Sequence, residues 1–190
     1  MSRVALKQKF IGWRMIIGAN LVDFFSAGLA FYAYAVFFSF IQDEFSASRF
    51  LVSLTVSVTI LAAGIYSPLL GYVLDKFPIK RVLTAGAIIF GVGFILLSFT
   101  QSFFQFLLVY GLVIAMGMVI FGNLSTSKLI ANWFNDKIGT ALGYASIGLS
   151  FSGVIIPPVA VFLISTFSWR GAYLIFGLFV LIFCSTAVSY

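Results

Sequence analysis

Long apolar runs alternate with short polar clusters along the whole chain. The runs fall at about residues 13–40, 50–74, 82–99, 103–131, 138–165 and 171–190. Between them lie Gln42 to Arg49, Asp75 to Arg81, Thr100 to Ser102, Asn132 to Lys137 and Phe167 to Arg170. A bilayer core about 30 Å thick needs roughly 20 apolar residues of helix. The pattern therefore predicts an all-α membrane protein with six transmembrane helices, whose connections are too short to hold a soluble domain.

Composition agrees, with 62% hydrophobic and 8% charged residues and a mean hydropathy of +1.16, far from the mix of a soluble domain. A net charge of +6 could suggest a nucleic-acid partner, but the bases sit in short loops rather than on one soluble face. Topology explains them better. With the N-terminus inside, Arg3, Lys7, Lys9, Arg14, Lys76, Lys80, Arg81, Lys128 and Lys137 are cytoplasmic, against Arg49 and Arg170 outside, a nine-to-two bias. The expected location is a multi-pass protein of the plasma (inner) membrane with a cytoplasmic N-terminus. A signal peptide with Ala33 and Ala35 as its cleavage site is disfavoured, because the first run continues from Trp13 to Ile41, past the ~7–15 apolar residues of a signal core.

The chain has no His and a single cysteine, Cys184. A disulfide framework, a thiolate or imidazole metal site and His-based catalysis are excluded. An intramembrane enzyme lacks its constellation of nucleophile and base, so neither enzyme activity, cofactor nor metal is expected.

A shift of the chain by 89 positions aligns Gly64 and Pro68 with Gly153 and Pro157, and Arg81 with Arg170. Ile41 with Ile130, Phe45 with Phe134, Leu74 with Leu163, Phe90 with Phe179 and Phe94 with Phe183 follow in the same register. Such an offset spans three helices, so the second copy enters the membrane from the opposite face. A 3+3 inverted repeat of this kind is a transporter architecture.

Asp23 lies about ten residues into the first run, roughly 15 Å along a helix axis and near the bilayer midplane. A carboxylate there costs at least ~2.5 kcal/mol to insert unless it is paired, hydrated or protonated, and such acids mark proton relays or partners of substrates and bases. A neutral structural acid is the alternative. Asn20 precedes Asp23 by one turn and Tyr34 follows on roughly the same face, so both could line one cavity with it. In the fourth run Asn123, Ser125, Thr126, Ser127 and Lys128 form a polar patch. Lys128 near the inner mouth could guide an anionic substrate or simply snorkel. Small residues at helical spacing, Gly111 with Ala115, Gly139 with Gly143, and Gly148, Ser152 and Gly153, allow close helix approach. Pro157 and Pro158 are expected to kink the fifth helix.

The segment Gly71-Tyr72-Val73-Leu74-Asp75-Lys76-Phe77-Pro78-Ile79-Lys80-Arg81 resembles the loop between helices two and three of major facilitator transporters. It departs from that pattern at Pro78, usually Gly, and at Ile79, where many members have a base or proline. The resemblance implies a conformational latch toward the other half of the protein, carried by Gly71, Asp75, Lys76, Lys80 and Arg81. A more specific stretch runs through Asn132-Trp133-Phe134, Lys137, Gly139, Ala141, Gly143, Gly148, Gly153, Pro157, Pro158 and Trp169-Arg170-Gly171-Ala172-Tyr173. It is similar to the monocarboxylate and oxalate/formate branch of that superfamily, as is Val36-Phe37-Phe38 through Asp43-Glu44-Phe45 to Ser48-Arg49. Many members carry an Arg early in helix four; Tyr110 stands in that region here.

The resemblance covers nearly the whole chain and implies the N-terminal six-helix bundle of a secondary transporter, residues 1–190, with its C-terminal bundle absent. The expected activity is alternating-access movement of a small organic anion, a monocarboxylate, with a proton or counter-anion. The expected partners are the lipid bilayer and the missing six-helix half or a second copy. The rival is a truncated or non-transporting membrane scaffold or assembly partner.

Overall fold

Polar residues at the breaks start and stop the helices. Asp43 and Glu44 close the first apolar run, and the chain turns at Ser46, which takes a left-handed φ of 47°. Ser48 then caps the next helix, its hydroxyl accepting from the Leu51 N–H at 3.3 Å. Pro78, with no N–H to donate, takes the N-cap position of the third helix and separates it from the second. Ser102 caps the fourth by accepting from the Gln105 N–H at 3.3 Å.

The computed structural model describes the backbone of residues 3–134 and 138–187 and the side chains of 13–134 and 138–183. The side chains of Arg3, Lys7, Lys9 and Cys184, and Lys137 altogether, lie outside the described residues. So does the end of the last expected helix. Five helical runs are long and apolar enough to cross a membrane. They are α1 (Trp13–Glu44), α2 (Arg49–Lys76), α3 (Ile79–Ser98) and α4 (Phe103–Trp133), followed by α5 (Ile138–Ala187).

Where the sequence pattern predicts separate fifth and sixth helices, α5 is a 50-residue stretch in which two helices run end to end across a kink at Ser168, whose backbone leaves helical geometry (φ 65°, ψ 168°). That residue lies in the expected Phe167 to Arg170 connection. Two helices meet at that kink, one on either side of Ser168.

α3 lies most extensively against α5, and α5 also lies along α1. α4 meets both α2 and α3, whereas α2 and α3 barely touch each other. The main core is aromatic: Phe37, Phe90, Phe94, Phe106, Tyr110 and Tyr173 are buried from four different helices. The Phe37 and Tyr173 rings stack at 4.0 Å. Many large apolar side chains, including Phe50, Leu61, Ile65, Val154 and Phe162, point outward. That is what a lipid solvent demands of a surface.

Two helices are not regular. α1 carries a π-helical turn at Gly28–Tyr32 and α4 another at Val109–Ile114. The two irregular turns meet: the Tyr110 hydroxyl donates to the Ala30 carbonyl at 2.6 Å. A π turn leaves a carbonyl without its usual helical partner, and in hydrocarbon such an acceptor must find another. Tyr110, in the region where many members of the resembled family carry an arginine, supplies it.

Candidate functional site

α4 breaks a second time, near its middle. Helix stops at Ile120, Phe121 and Gly122 leave helical geometry, and helix resumes over Asn123–Trp133. The reason is local. Gly122 adopts φ −139°, ψ −159°, and a Cβ there would run into the Met118 carbonyl oxygen. Freed acceptors are retied by the residues that follow, the Ser125 hydroxyl donating to the Ile120 carbonyl at 2.7 Å. Interrupted helices of this kind survive inside a membrane only where protein or a water-filled cavity surrounds the exposed backbone.

Asp23 faces this break. It is 2% exposed, and its Oδ1 accepts from the Thr126 hydroxyl at 2.9 Å. Thr126 sits in the first turn of the resumed helix, so the carboxylate lies at the positive end of an 11-residue helix dipole. The other carboxylate oxygen, Oδ2, is buried with no hydrogen-bond partner among the described residues. A buried acceptor left open is costly and is the exception in folded proteins. Chemically, this arrangement can take up a proton or meet a cationic or hydrogen-bonding group on Oδ2 while Thr126 holds Oδ1.

Of the residues singled out from the sequence, Asp23 and the polar patch of α4 are brought together. Asn123 opens the resumed helix, its carbonyl also accepting from Thr126 at 3.0 Å. Asn20 turns instead to α5, where its amide donates to the Tyr144 carbonyl at 2.8 Å. There Gly148 lets the helices meet, since any side chain at that position would overlap the Asn20 backbone. Tyr34 joins the aromatic core, donating to the Val52 carbonyl at 2.7 Å, and its ring lies 4.7 Å from that of Tyr110. Gly153 rests against the Tyr32 ring, while Gly139 and Gly143 face open space. Pro157 and Pro158 lie within α5, ten residues ahead of the departure at Ser168.

Lys128 forms an ion pair with Asp75, joining α4 to the end of α2. Lys76 lies over the Tyr72 ring at 4.2 Å, and a Cβ added at Gly71 would meet open space. Lys80 and Arg81 are exposed and make no ion pair among the described residues.

At the opposite end, Arg170 has a role that its place in the sequence did not reveal. It donates to the carbonyls of Ser98 at 3.1 Å and Thr100 at 2.5 Å, and to Glu44 at 3.0 Å. One side chain thereby ties together the ends of α1 and α3 and the irregular point of α5. The sequence signal was its alignment with Arg81 in the 89-residue shift, which pointed to the position but not to its partners.

A profile of the Major Facilitator Superfamily matches residues 24–189, almost the whole chain. The chain belongs to the Major Facilitator Superfamily. It is thus a multi-pass membrane protein of a transporter family, not of an enzyme family. It is similar to monocarboxylate transporter 12 of Mus musculus, 28% identical over 91% of this chain and 35% of the relative. It is also similar to monocarboxylate transporter 6 of Mus musculus, 30% identical over 75% of this chain and 30% of the relative. An uncharacterized transporter of the superfamily from Bacillus subtilis, YcxA, is 25% identical over 72% of this chain and 33% of its own length. The chain spans about a third of the length of these relatives.

Proposed function

We propose that this chain is the N-terminal membrane bundle of a secondary transporter that moves a small monocarboxylate by alternating access, coupled to a proton or to exchange with a second anion. The observation that carries the reading is the buried Asp23 carboxylate with one open oxygen at the break of α4. Its similarity to monocarboxylate transporters over most of its length supports the substrate class.

In this reading α5 crosses the membrane twice, turning at Ser168. A straight helix of 50 residues would be roughly 75 Å long, more than twice the ~30 Å hydrocarbon core. Six crossings then form two inverted sets of three, with Arg81 and Arg170 at equivalent corners on opposite faces. The end bearing Lys76, Lys80, Arg81 and Lys128 is cytoplasmic, following the bias of basic residues, and the membrane is the plasma (inner) membrane. The second six-helix half, or a second copy, completes the pathway near the midplane.

Asp23 is the coupling group. When it holds a proton, Oδ2 needs no cation and the site can move through the membrane neutral; when it is charged, the open oxygen demands a partner. Thr126 keeps the carboxylate at the helix break, and Asn123 borders it, while Asn20 fastens α1 to α5. Lys128, already paired with Asp75, adds positive potential at the inner mouth and attracts the anion. Gly71, Asp75, Lys76, Lys80 and Arg81 form the latch that closes one conformation against the other half, and the Lys128–Asp75 pair is its first element.

The test uses the complete transporter reconstituted in liposomes, with uptake of labelled lactate driven by an imposed pH gradient. Asp23→Asn is expected to abolish the stimulation by the gradient while downhill lactate exchange persists. Stimulation equal to the wild type would reject Asp23 as the coupling group. Absence of lactate movement in the wild type as well would favour the scaffold reading.

A further inference from the structure

Because α2 and α3 barely touch, a groove is left between them, floored by α4. It encloses a cavity of about 310 Å³ with an almost wholly apolar lining that includes Tyr66, Val73, Phe77, Ala85 and Met116. Leu69, Phe77, Ala85 and Met116 are exposed, so the groove opens on the outer surface of the bundle. Its one charged lining residue is Arg81.

The dimensions suit one particular occupant. From Tyr66 to Phe77, just past the end of α2, the α2 wall covers twelve residues and so eleven rises, roughly 16 Å at the α-helical rise, which is about half of a ~30 Å hydrocarbon core. The groove therefore runs the depth of one leaflet, from the headgroup level to near the midplane. Arg81 stands at the headgroup end, beside Lys80 and Lys76. Asp75, the acid nearest in sequence, is already engaged by Lys128. Arg81 makes no ion pair and no side-chain hydrogen bond among the described residues.

We propose that this groove is a binding site for an anionic phospholipid of the cytoplasmic leaflet, one acyl chain lying between α2 and α3 and the headgroup phosphate resting on Arg81. The assignment of leaflet rests on the membrane placement proposed above; the groove and its cation do not. An acyl chain fills the apolar trough without presenting a polar group to it. A phosphate at the mouth meets an arginine whose planar, five-donor fork suits it. The negative surface of a cytoplasmic leaflet supplies such lipids. A lipid seated here would also hold α2 and α3 apart at a fixed spacing, beside the loop proposed as the latch.

Native mass spectrometry of the purified chain in neutral detergent, titrated separately with palmitoyl-oleoyl phosphatidylglycerol and phosphatidylcholine, reads the site without any transport assay. The first phosphatidylglycerol is expected to bind roughly fivefold more tightly than the first phosphatidylcholine. Arg81→Gln should remove that preference, and Arg49→Gln, at the other end of α2, should keep it. Ala85→Trp, which fills the trough and leaves the charge in place, should lower binding of both lipids. A preference that survives Arg81→Gln, or lipid binding that Ala85→Trp leaves undiminished, would overturn the proposal, the latter by showing surface charge alone at work.

A second measurement needs no bulky insertion into the trough. Phe77→Trp places an indole on its wall, and phosphatidylglycerol with brominated chains should quench the added fluorescence more than brominated phosphatidylcholine does. Equal quenching by the two lipids would count against the site, as would quenching no greater than that of the native tryptophans. Success here with failure of the lactate assay would separate the lipid site from the transport reading.

Discussion

The two ends of this bundle are built differently. At one end a single cation, Arg170, is tied to Glu44 and to the carbonyls of Ser98 and Thr100, stacks on Trp169 at 4.3 Å, and draws three helices together. At the other end, among the described residues, Lys80 and Arg81 have no ion pair and the one pair is the Lys128–Asp75 contact, and a groove stays open between α2 and α3. Arg81 and Arg170 align under the 89-residue shift, yet Arg170 is a clamp and Arg81 has no ion-pair partner among the described residues. The contrast teaches that two arginines which align in sequence can have quite different surroundings. A closed end that fixes helix spacing beside an end left able to change suits a protein that rocks about one side of the membrane.

The largest effect is expected at the clamped end. Arg170→Ala removes three charge-assisted hydrogen bonds and leaves two carbonyls open, which should cost about 2 kcal/mol, after allowance for a side chain roughly a third exposed. Unfolding in detergent measures it, and Arg170→Lys, which keeps the charge and loses the fork, should fall between. No loss of stability in Arg170→Ala would erase the distinction between the ends.

Next comes the bond between the two irregular turns. Tyr110→Phe leaves the buried Ala30 carbonyl without its partner, at about 1–2 kcal/mol. The same unfolding measurement sharpens the contrast: Tyr34→Phe, which breaks an otherwise similar bond to the Val52 carbonyl, gives the reference for a helix-to-helix bond in the same core.

The smallest effects belong to the open end. Lys128→Gln breaks an exposed ion pair and should change stability by less than about 1 kcal/mol, and Arg81→Gln by no more than about 0.5 kcal/mol. If either approached the loss in Arg170→Ala, the open end would be a second clamp and the comparison would fail.

Much of the fold was legible because the polar breaks are also the capping residues. Ser48, Pro78 and Ser102 each stop one apolar run and start the next, and the helices begin within three residues of the predicted positions at all three places. What pattern could not reveal lies inside the runs. Gly122 is one glycine in an apolar stretch that holds several, and nothing local distinguishes a glycine that breaks a helix from one that lets helices meet, as Gly148 does. The π turns at Gly28–Tyr32 and Val109–Ile114 leave hydropathy untouched, and only the Tyr110 bond exposes their reason. At Ser168 the sequence marks a connection, and the backbone departs from helix at that one residue.

The candidate site was half legible. Asp23 stood out because a carboxylate near the midplane is expensive wherever it lies. Its partner could not be read, since Thr126 is 103 residues away and hydroxyls are common in the patch that holds it. Tyr34 shares a helical face with Asp23 by number alone, and the α1 π turn lies between them. A π turn adds to the residues per turn and shifts the register of everything beyond it, which takes Tyr34 into the aromatic core.

The most direct test of the central claim asks whether the break beside Asp23 responds to substrate. In a complete transporter whose native cysteines, Cys184 among them, are replaced by serine and which carries Ser127→Cys, a single thiol stands one turn beyond Asn123, whose side chain Ser127 contacts at 3.4 Å. The rate of its modification by a water-soluble maleimide is measured with and without lactate. A rate that changes severalfold with lactate, and no longer changes when Asp23→Asn is added, is the predicted result; the same rate under every condition would contradict it and leave a rigid membrane scaffold as the better account.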